Sequence, residues 1–137
     1  MLQGDGIKIR TIRRSELELV YGLSFDYSDA GEYMPVALMS EADFRTEYDR
    51  NGFWRETKGR LIIENTEGDV VGEIGCFEVA HYMDGREIYY RTYSGHRRKG
   101  YAREALKVFV KFFFESTALN RLQAVSVQGN EVSTSML

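Results

Sequence analysis

The sequence predicts an α+β fold: a mixed, mostly antiparallel central sheet flanked by helices. Three observations predict it. Ile7-Lys8-Ile9-Arg10-Thr11-Ile12 alternates apolar and polar residues, the period of a half-buried strand. Residues 60–65 and 70–80 read as two strands around the turn Thr66-Glu67-Gly68-Asp69, hence a hairpin. Ala102, Ala105, Leu106, Phe109, Phe112 and Phe113 fall on one face at helical spacing. They define a helix from Gly100 or Tyr101 to about Glu115, placed between two further strands.

The elements follow in order. After the first strand, Ser15 precedes a helical stretch with Glu18 three positions on. That is a capping-box pattern, in which serine and glutamate satisfy each other's free backbone donors. Leu17, Val20 and Tyr21 give this helix its apolar stripe. Gly22 to Met39 is aromatic, acidic and rich in Gly and Ser, and carries the only proline, Pro35. It reads as a loop. A second Ser-capped helix runs from Ser40 to about Asp49, with Asp43 in the first turn, where the helix dipole favours an acid. Asn51-Gly52 ends it. The hairpin follows, then a turn over His81 to Gly85 and a tyrosine-rich strand from Arg86 to Tyr93. Beyond the long helix, Arg121 to Val127 is a strand. Gln128-Gly129-Asn130 then turns the chain into a helix start at Glu131. The order is β-α-(α)-β-β-β-α-β-α, without repeats or linkers, and residues 1–137 read as a single domain.

Composition narrows the function. A chain of 137 residues, 43% hydrophobic and 28% charged, has the material for one core and an ordinary soluble surface. A net charge of -3 argues against nucleic acid as the main partner. The distribution says more than the sum. From Ser15 to Asp49 nine acids face one base, Arg45. From Arg97 to Lys111 six bases face one acid, Glu104. One region suits a cation, the other an anion. The only cysteine, Cys76, permits no internal disulfide and fits a reducing compartment. The start, Met-Leu-Gln-Gly-Asp-Gly, lacks the basic and apolar regions of a signal peptide. No apolar run approaches the ~20 residues of a membrane span. The expected location is therefore the cytoplasm, with no membrane partner. Two distant histidines and one cysteine form no metal cluster.

The chemistry concentrates between Tyr93 and Ala102. This segment joins a strand to a helix and holds Ser94, Gly95, the basic triplet Arg97-Arg98-Lys99, and Gly100. A helix start offers unpaired N–H groups and the positive end of a dipole, which together suit an anion. Gly100 lets the backbone approach a phosphate with no Cβ in the way. Two other phosphate loops are excluded. There is no G-x-x-x-x-G-K-[ST], and no G-x-G-x-x-G with a ribose-binding acid downstream.

Arg97-Arg98-Lys99-Gly100-Tyr101-Ala102 matches the pattern Q/R-x-x-G-x-G/A and resembles the coenzyme loop of the GNAT N-acetyltransferases. The wider stretch is similar to the ribosomal-protein N-terminal acetyltransferase subgroup. Glu87-Ile88-Tyr89-Tyr90 resembles its strand before the loop, and Glu104-Ala105-Leu106 its helix after it. Leu119-Asn120-Arg121-Leu122 resembles its entry to the fifth strand, and Asn130-Glu131-Val132-Ser133 its Asn-x-x-Ser. Three motifs in order span the second half of the chain, about residues 86–137, which becomes the coenzyme-binding half. The first half supports the topology only.

The resemblance implies a GNAT-like fold and acetyl-CoA as co-substrate, with no metal. It implies that backbone N–H groups of Arg98 to Ala102 hold the pyrophosphate, helped by the side chains of Arg97, Arg98 and Lys99. It implies that the strand end at Arg91, Thr92 and Tyr93 pairs with the pantetheine arm. Asn130 would bond the pantetheine or thioester region, and Ser133 would give a proton to the leaving thiolate. The expected reaction is direct attack of a primary amine, from a protein N-terminus or a small molecule, on the thioester in a ternary complex. Such an enzyme must hold both reactants in line, stabilise the developing oxyanion and remove a proton from the ammonium. Glu87 ranks first as the base, ahead of Glu73 on the neighbouring strand; the bland alternative is an exposed Glu87 paired with Arg86 or Arg91. The tyrosines and acids of residues 25–33 suit the walls of an amine cleft.

One departure stands out. GNAT domains continue past the Asn-x-x-Ser helix with two more strands, whereas this sequence stops at Leu137, so the fold is expected to be truncated at its C-terminus. A fifth strand with an open edge is a liability that a second copy of the chain would cover. The competing expectations are a coenzyme A-binding module with impaired turnover, and a plain α+β domain whose basic loop takes another phosphate ligand.

Overall fold

The computed structural model describes residues 1–24, 39–56, 58–79, 82–116 and 121–124. Among them seven strands form one sheet: β1 (Leu2–Gln3), β2 (Ile7–Arg10), β3 (Trp54–Arg55), β4 (Lys58–Asn65), β5 (Val70–Val79), β6 (Tyr82–Thr92) and β7 (Arg121–Ala124). The order is β1-β2-β4-β5-β6-β7, with β3 paired to β4 off this path. Every pairing is antiparallel except the last, where β7 runs parallel to β6. The helices are α1 (Leu17–Ser24), α2 (Glu41–Asn51) and α3 (Tyr101–Ser116). The expected α+β sheet with flanking helices is the one found.

Alternation along the strands sends side chains to two cores. Ile9, Leu61, Ile63, Ile74, Cys76 and Ile88 are buried against Ala105, Phe109 and Phe113 of α3. On the opposite face Ile62 packs with Leu17 and Val20 of α1, Phe44 of α2, and Phe53. The sheet is therefore covered by α3 on one face and by α1 and α2 on the other. The run Val71 to Cys76 is buried throughout because β5 lies in the middle of both layers.

Two glycines let β4 lie close to its neighbours: a Cβ at Gly59 would sit 2.0 Å from the Phe53 carbonyl oxygen, before β3, and Gly75 faces β4 from β5. A Cβ at Gly75 would sit 2.1 Å from the Gly59 carbonyl oxygen and 2.9 Å from the Tyr89 ring. Gly59 itself has φ 137°. Cleared of a side chain, Gly75 leaves room for the Tyr89 ring to lie over it, towards Arg60 on the far strand.

Several local expectations needed correction. Ser15 and Glu18 do not form the first helix cap. A 3₁₀ turn, Arg14–Glu16, precedes α1, and the Glu16 carboxylate accepts the Arg13 N–H at 2.8 Å. The cause is Arg10, whose guanidinium binds Glu16 at 2.9 and 2.7 Å and Glu64 at 3.0 Å, which fixes Glu16 over the turn. The expected turn over His81 to Gly85 is largely strand, since β6 starts at Tyr82 and pairs with Val79. Residues 85–88 also pair with β7, and a backbone flanked on both sides satisfies its polar groups only when extended. The strands β1 and β3, two residues each, were not foreseen. The second helix forms as expected: the Ser40 hydroxyl accepts the Asp43 N–H at 3.1 Å, and Gly52 closes the helix at φ 63°. The loop residues 25–38, the strand end at 125–127 and the helix start at Glu131 lie outside the described residues.

Candidate active site

The segment after β6 is built as an anion cradle. Tyr93 anchors its start: its N–H donates to the Val71 carbonyl at 2.9 Å, and its own carbonyl accepts the His96 N–H at 3.1 Å. Gly95, Arg98 and Gly100 all take the left-handed conformation, with φ of 90°, 64° and 80°. Such turns point successive N–H groups into one concavity. A left-handed arginine is uncommon and marks a shape held by its surroundings. The first helical bond of α3 runs from the Glu104 N–H to the Gly100 carbonyl at 3.1 Å. Among the described residues, the N–H groups of Tyr101 to Arg103 have no backbone acceptor. They are the free donors at the positive end of a sixteen-residue helix. Among the described residues, beyond its chain neighbours, nothing lies within 4 Å of the place a Gly100 Cβ would take.

The side chains divide differently. The Arg97 guanidinium folds back, its Nε donating to the Thr92 carbonyl at 2.9 Å. It braces the strand end. Arg98 and Lys99 are exposed at the mouth. His96 has a buried Nδ1 with no partner among the described residues, and its ring lies 6.5 Å from that of Tyr101. Arg91 and Tyr93 turn their side chains into the protein, at 6% and 1% exposure. The Tyr93 N–H and carbonyl are bonded to Val71 and His96, and the Thr92 carbonyl to Arg97, so this stretch of backbone is already engaged within the protein. The described pairing of β6 with β7 ends at Ile88 and Ala124, and β6 continues to Thr92.

Glu87 stands half-buried on β6, opposite the exposed Phe77 of β5. Among the described residues it forms no ion pair. The pairing with Arg86 or Arg91 weighed from the sequence is thus not seen there. Asn130 and Ser133 lie outside the described residues.

A second group was not foreseen as a cluster. On the same face of the sheet as Glu87, the carboxylate of Glu73 is 6% exposed. Its Oε2 accepts the Tyr93 hydroxyl at 2.7 Å and an Arg60 N–H at 3.0 Å. The Ser24 hydroxyl reaches it at 3.4 Å. Burial draws the Arg60 guanidinium down, but Glu73 outweighs it and holds Arg60 above its ordinary value. Burial, reinforced by Glu73, pushes the Tyr93 phenol far up, so it stays a donor. Burial does the same to Tyr89, whose hydroxyl has no hydrogen-bond partner among the described residues. One sequence signal pointed here: Glu73 interrupts an apolar strand between Gly72 and Gly75. Cys76 faces α3 instead, and burial pushes its thiol up to about 11, which leaves it unreactive. Among the described residues no group of three His, Cys, Asp or Glu is placed to hold a metal. No helix there is long and apolar enough to cross a membrane.

A strand, a basic glycine-bearing loop and a helix that leads to a parallel strand are the arrangement of the GNAT fold. The family model for the GNAT acetyltransferase domain matches residues 7–137, and the chain belongs to that family. It is an acyltransferase. Among solved structures, a GNAT-family acetyltransferase from Bacillus anthracis superposes with a TM-score of 0.78 at 22% identity, covering 98% of this chain and 78% of that one. The spermidine N-acetyltransferase from Vibrio cholerae in complex with CoA and spermine gives a TM-score of 0.77 at 16% identity, covering 96% and 77%. No curated protein matches the sequence.

Proposed function

We propose that this chain moves the acetyl group of acetyl-CoA to the primary amine of a small cationic molecule, by direct attack in a ternary complex. The observation that carries the reading is the loop at Arg98 to Ala102, where left-handed Arg98 and Gly100 lead into the free N–H groups at the start of α3. It suits the pyrophosphate of the coenzyme. The backbone of Arg91, Thr92 and Tyr93 follows the pantetheine arm towards the β6–β7 pair. A small polycationic amine is favoured over a protein N-terminus by the acids Asp26, Asp29 and Glu32, which suit more than one positive charge. The polyamine complex of the Vibrio cholerae relative supports the same class.

In the reaction the amine nitrogen bonds to the acetyl carbon, the carbon–sulfur bond breaks, and the thiolate takes up a proton. The chain's part is chiefly to hold the two reactants together and in line. Glu87 accepts the proton that the ammonium must lose, directly or through water. Asn130 and Ser133 serve the thioester end, Ser133 as the proton donor to sulfur. Residues 1–137 act as one domain, and the setting is the cytoplasm.

Thiol release from acetyl-CoA tests this. Spermidine and spermine should support turnover, and a peptide with a free N-terminus should do so poorly. Turnover on the peptide alone would reassign the acceptor. No release with any amine, by protein that binds acetyl-CoA, would refute the reaction and leave a coenzyme-binding module.

A further inference from the structure

A carboxylate in the middle of a central strand is costly to bury unless it is paired and hydrogen-bonded. Glu73 is both, but its partners are unusually distributed. One donor, Arg60, belongs to β4 and lies directly opposite the neighbouring Gly75. It stacks on the rings of Phe44 and Phe53, at 5.7 and 5.4 Å. A buried pair of this kind also needs hydrogen bonds to its remaining lone pairs. Two hydroxyls supply them at the same oxygen, from segments that otherwise serve different ends of the site. Tyr93 opens the anion cradle. Ser24 is the last residue of α1, where the chain enters the acidic segment 25–38.

Both segments are held tightly where they meet. Arg60 also donates to the Ser24 hydroxyl, and Arg91 to the Ser24 carbonyl at 3.4 Å. Two guanidinium groups thus stand at the negative end of the α1 dipole. The Arg91 guanidinium lies 5.4 Å over the Tyr93 ring. Tyr93 is fixed at its hydroxyl, its N–H and its carbonyl, and the carbonyl bond goes straight into the cradle. A shift of the end of α1 therefore has a short, fully bonded route to the phosphate-binding backbone. It runs through one carboxylate.

We propose that Glu73 is a positioning residue that ties the end of α1 to the coenzyme cradle through Tyr93, so that order at Ser24 sets affinity for the coenzyme. This rests on reading the cradle as the coenzyme site. A purely structural ion pair between Glu73 and Arg60 would support the fold without making coenzyme affinity depend on Ser24.

The test is a double-variant cycle on coenzyme A affinity, measured by calorimetry on protein shown to be folded. Ser24→Ala and Tyr93→Phe each remove one hydroxyl and leave the ion pair. Each should raise the Kd for coenzyme A about tenfold, within the usual range of coupled sites. Together they should raise it no further than the larger single change, because both cut the same route. Glu73→Gln, which keeps an acceptor oxygen, should retain part of the affinity that Glu73→Ala loses. Unchanged affinity in Ser24→Ala, or effects that multiply, would overturn the proposal while leaving the coenzyme site intact. If the wild-type chain fails to bind coenzyme A, the cradle reading falls, and this inference with it.

Discussion

At Gly100 the backbone sits at φ 80° with open space where a Cβ would project. Gly100→Ala therefore meets no protein atom. It costs about 1 kcal/mol of backbone strain, and it puts a methyl group where the diphosphate must approach. A small fall in melting temperature with about a tenfold weaker coenzyme Kd is the expected result, read by calorimetry. A loss of stability without a loss of affinity would move the phosphate elsewhere. A different balance governs Arg10, 4% exposed between Glu16 and Glu64. The Arg10 hydrogen bonds lower Glu16, against the opposing pull of burial. A carboxylate lowered on folding stabilises the protein above its unfolded pKa, about 4.3 for Glu, and loses that contribution as pH falls through its folded value. Glu16→Gln should cost about 2 kcal/mol at neutral pH, the worth of charged hydrogen bonds in a partly buried site. Its melting temperature should also fall less steeply than the wild type's below about pH 4.3. Parallel acid profiles of the two proteins would show that Glu16 carries no such linkage.

Within the sheet, contact between β4 and β5 depends on the absence of a side chain at Gly75. Gly75→Ala places a methyl carbon 2.1 Å from a backbone oxygen, which cannot rotate away. The strands must part, at a cost of ~3 kcal/mol, the upper end of ordinary overpacking. Chemical denaturation should show the lower midpoint, and an unchanged midpoint would mean that the strands are less closely held. The elements differ in how far the sequence revealed them. Helix α3 was legible because six apolar residues repeat on one face, and α2 because Ser40 and Gly52 mark its ends. Strands β1 and β3 are too short to show a period. The Ser15 cap was misplaced because Arg10, a strand residue, captures Glu16, and a local pattern cannot register a partner from another element. Glu73 was hidden for the same reason. Its donors come from positions 24, 60 and 93, and only strand register brings them together. The phosphate cradle, by contrast, lies within about ten consecutive residues, so its parts could be read in order.

For the molecule as a whole, a ligand that binds only the folded state adds its binding energy to stability. Acetyl-CoA at a hundred times its Kd should contribute about 2.7 kcal/mol and raise the melting temperature by several degrees. ATP should not, since the cradle lacks the lysine and hydroxyl placement of a triphosphate loop. An equal shift with ATP would reduce the cradle to a general phosphate site. The same layered design leaves little redundancy around α3. Phe109 is fully buried between that helix and the sheet, and Phe109→Ala would remove about 4 kcal/mol, a large share of the 5–15 kcal/mol typical of a domain.

The parallel strand β7 has a consequence for how the chain is made. Strands β2 and β4 to β6 pair antiparallel, and the links between β4, β5 and β6 are short, so these contacts close soon after each segment is synthesised. Strand β7 must wait for the whole of α3 to emerge and to lie down across the sheet before it meets β6. Strand β6 is thus flanked by a strand laid early and one delivered late. A ribosome-bound chain halted before Arg121 would carry β6 as an unfinished edge.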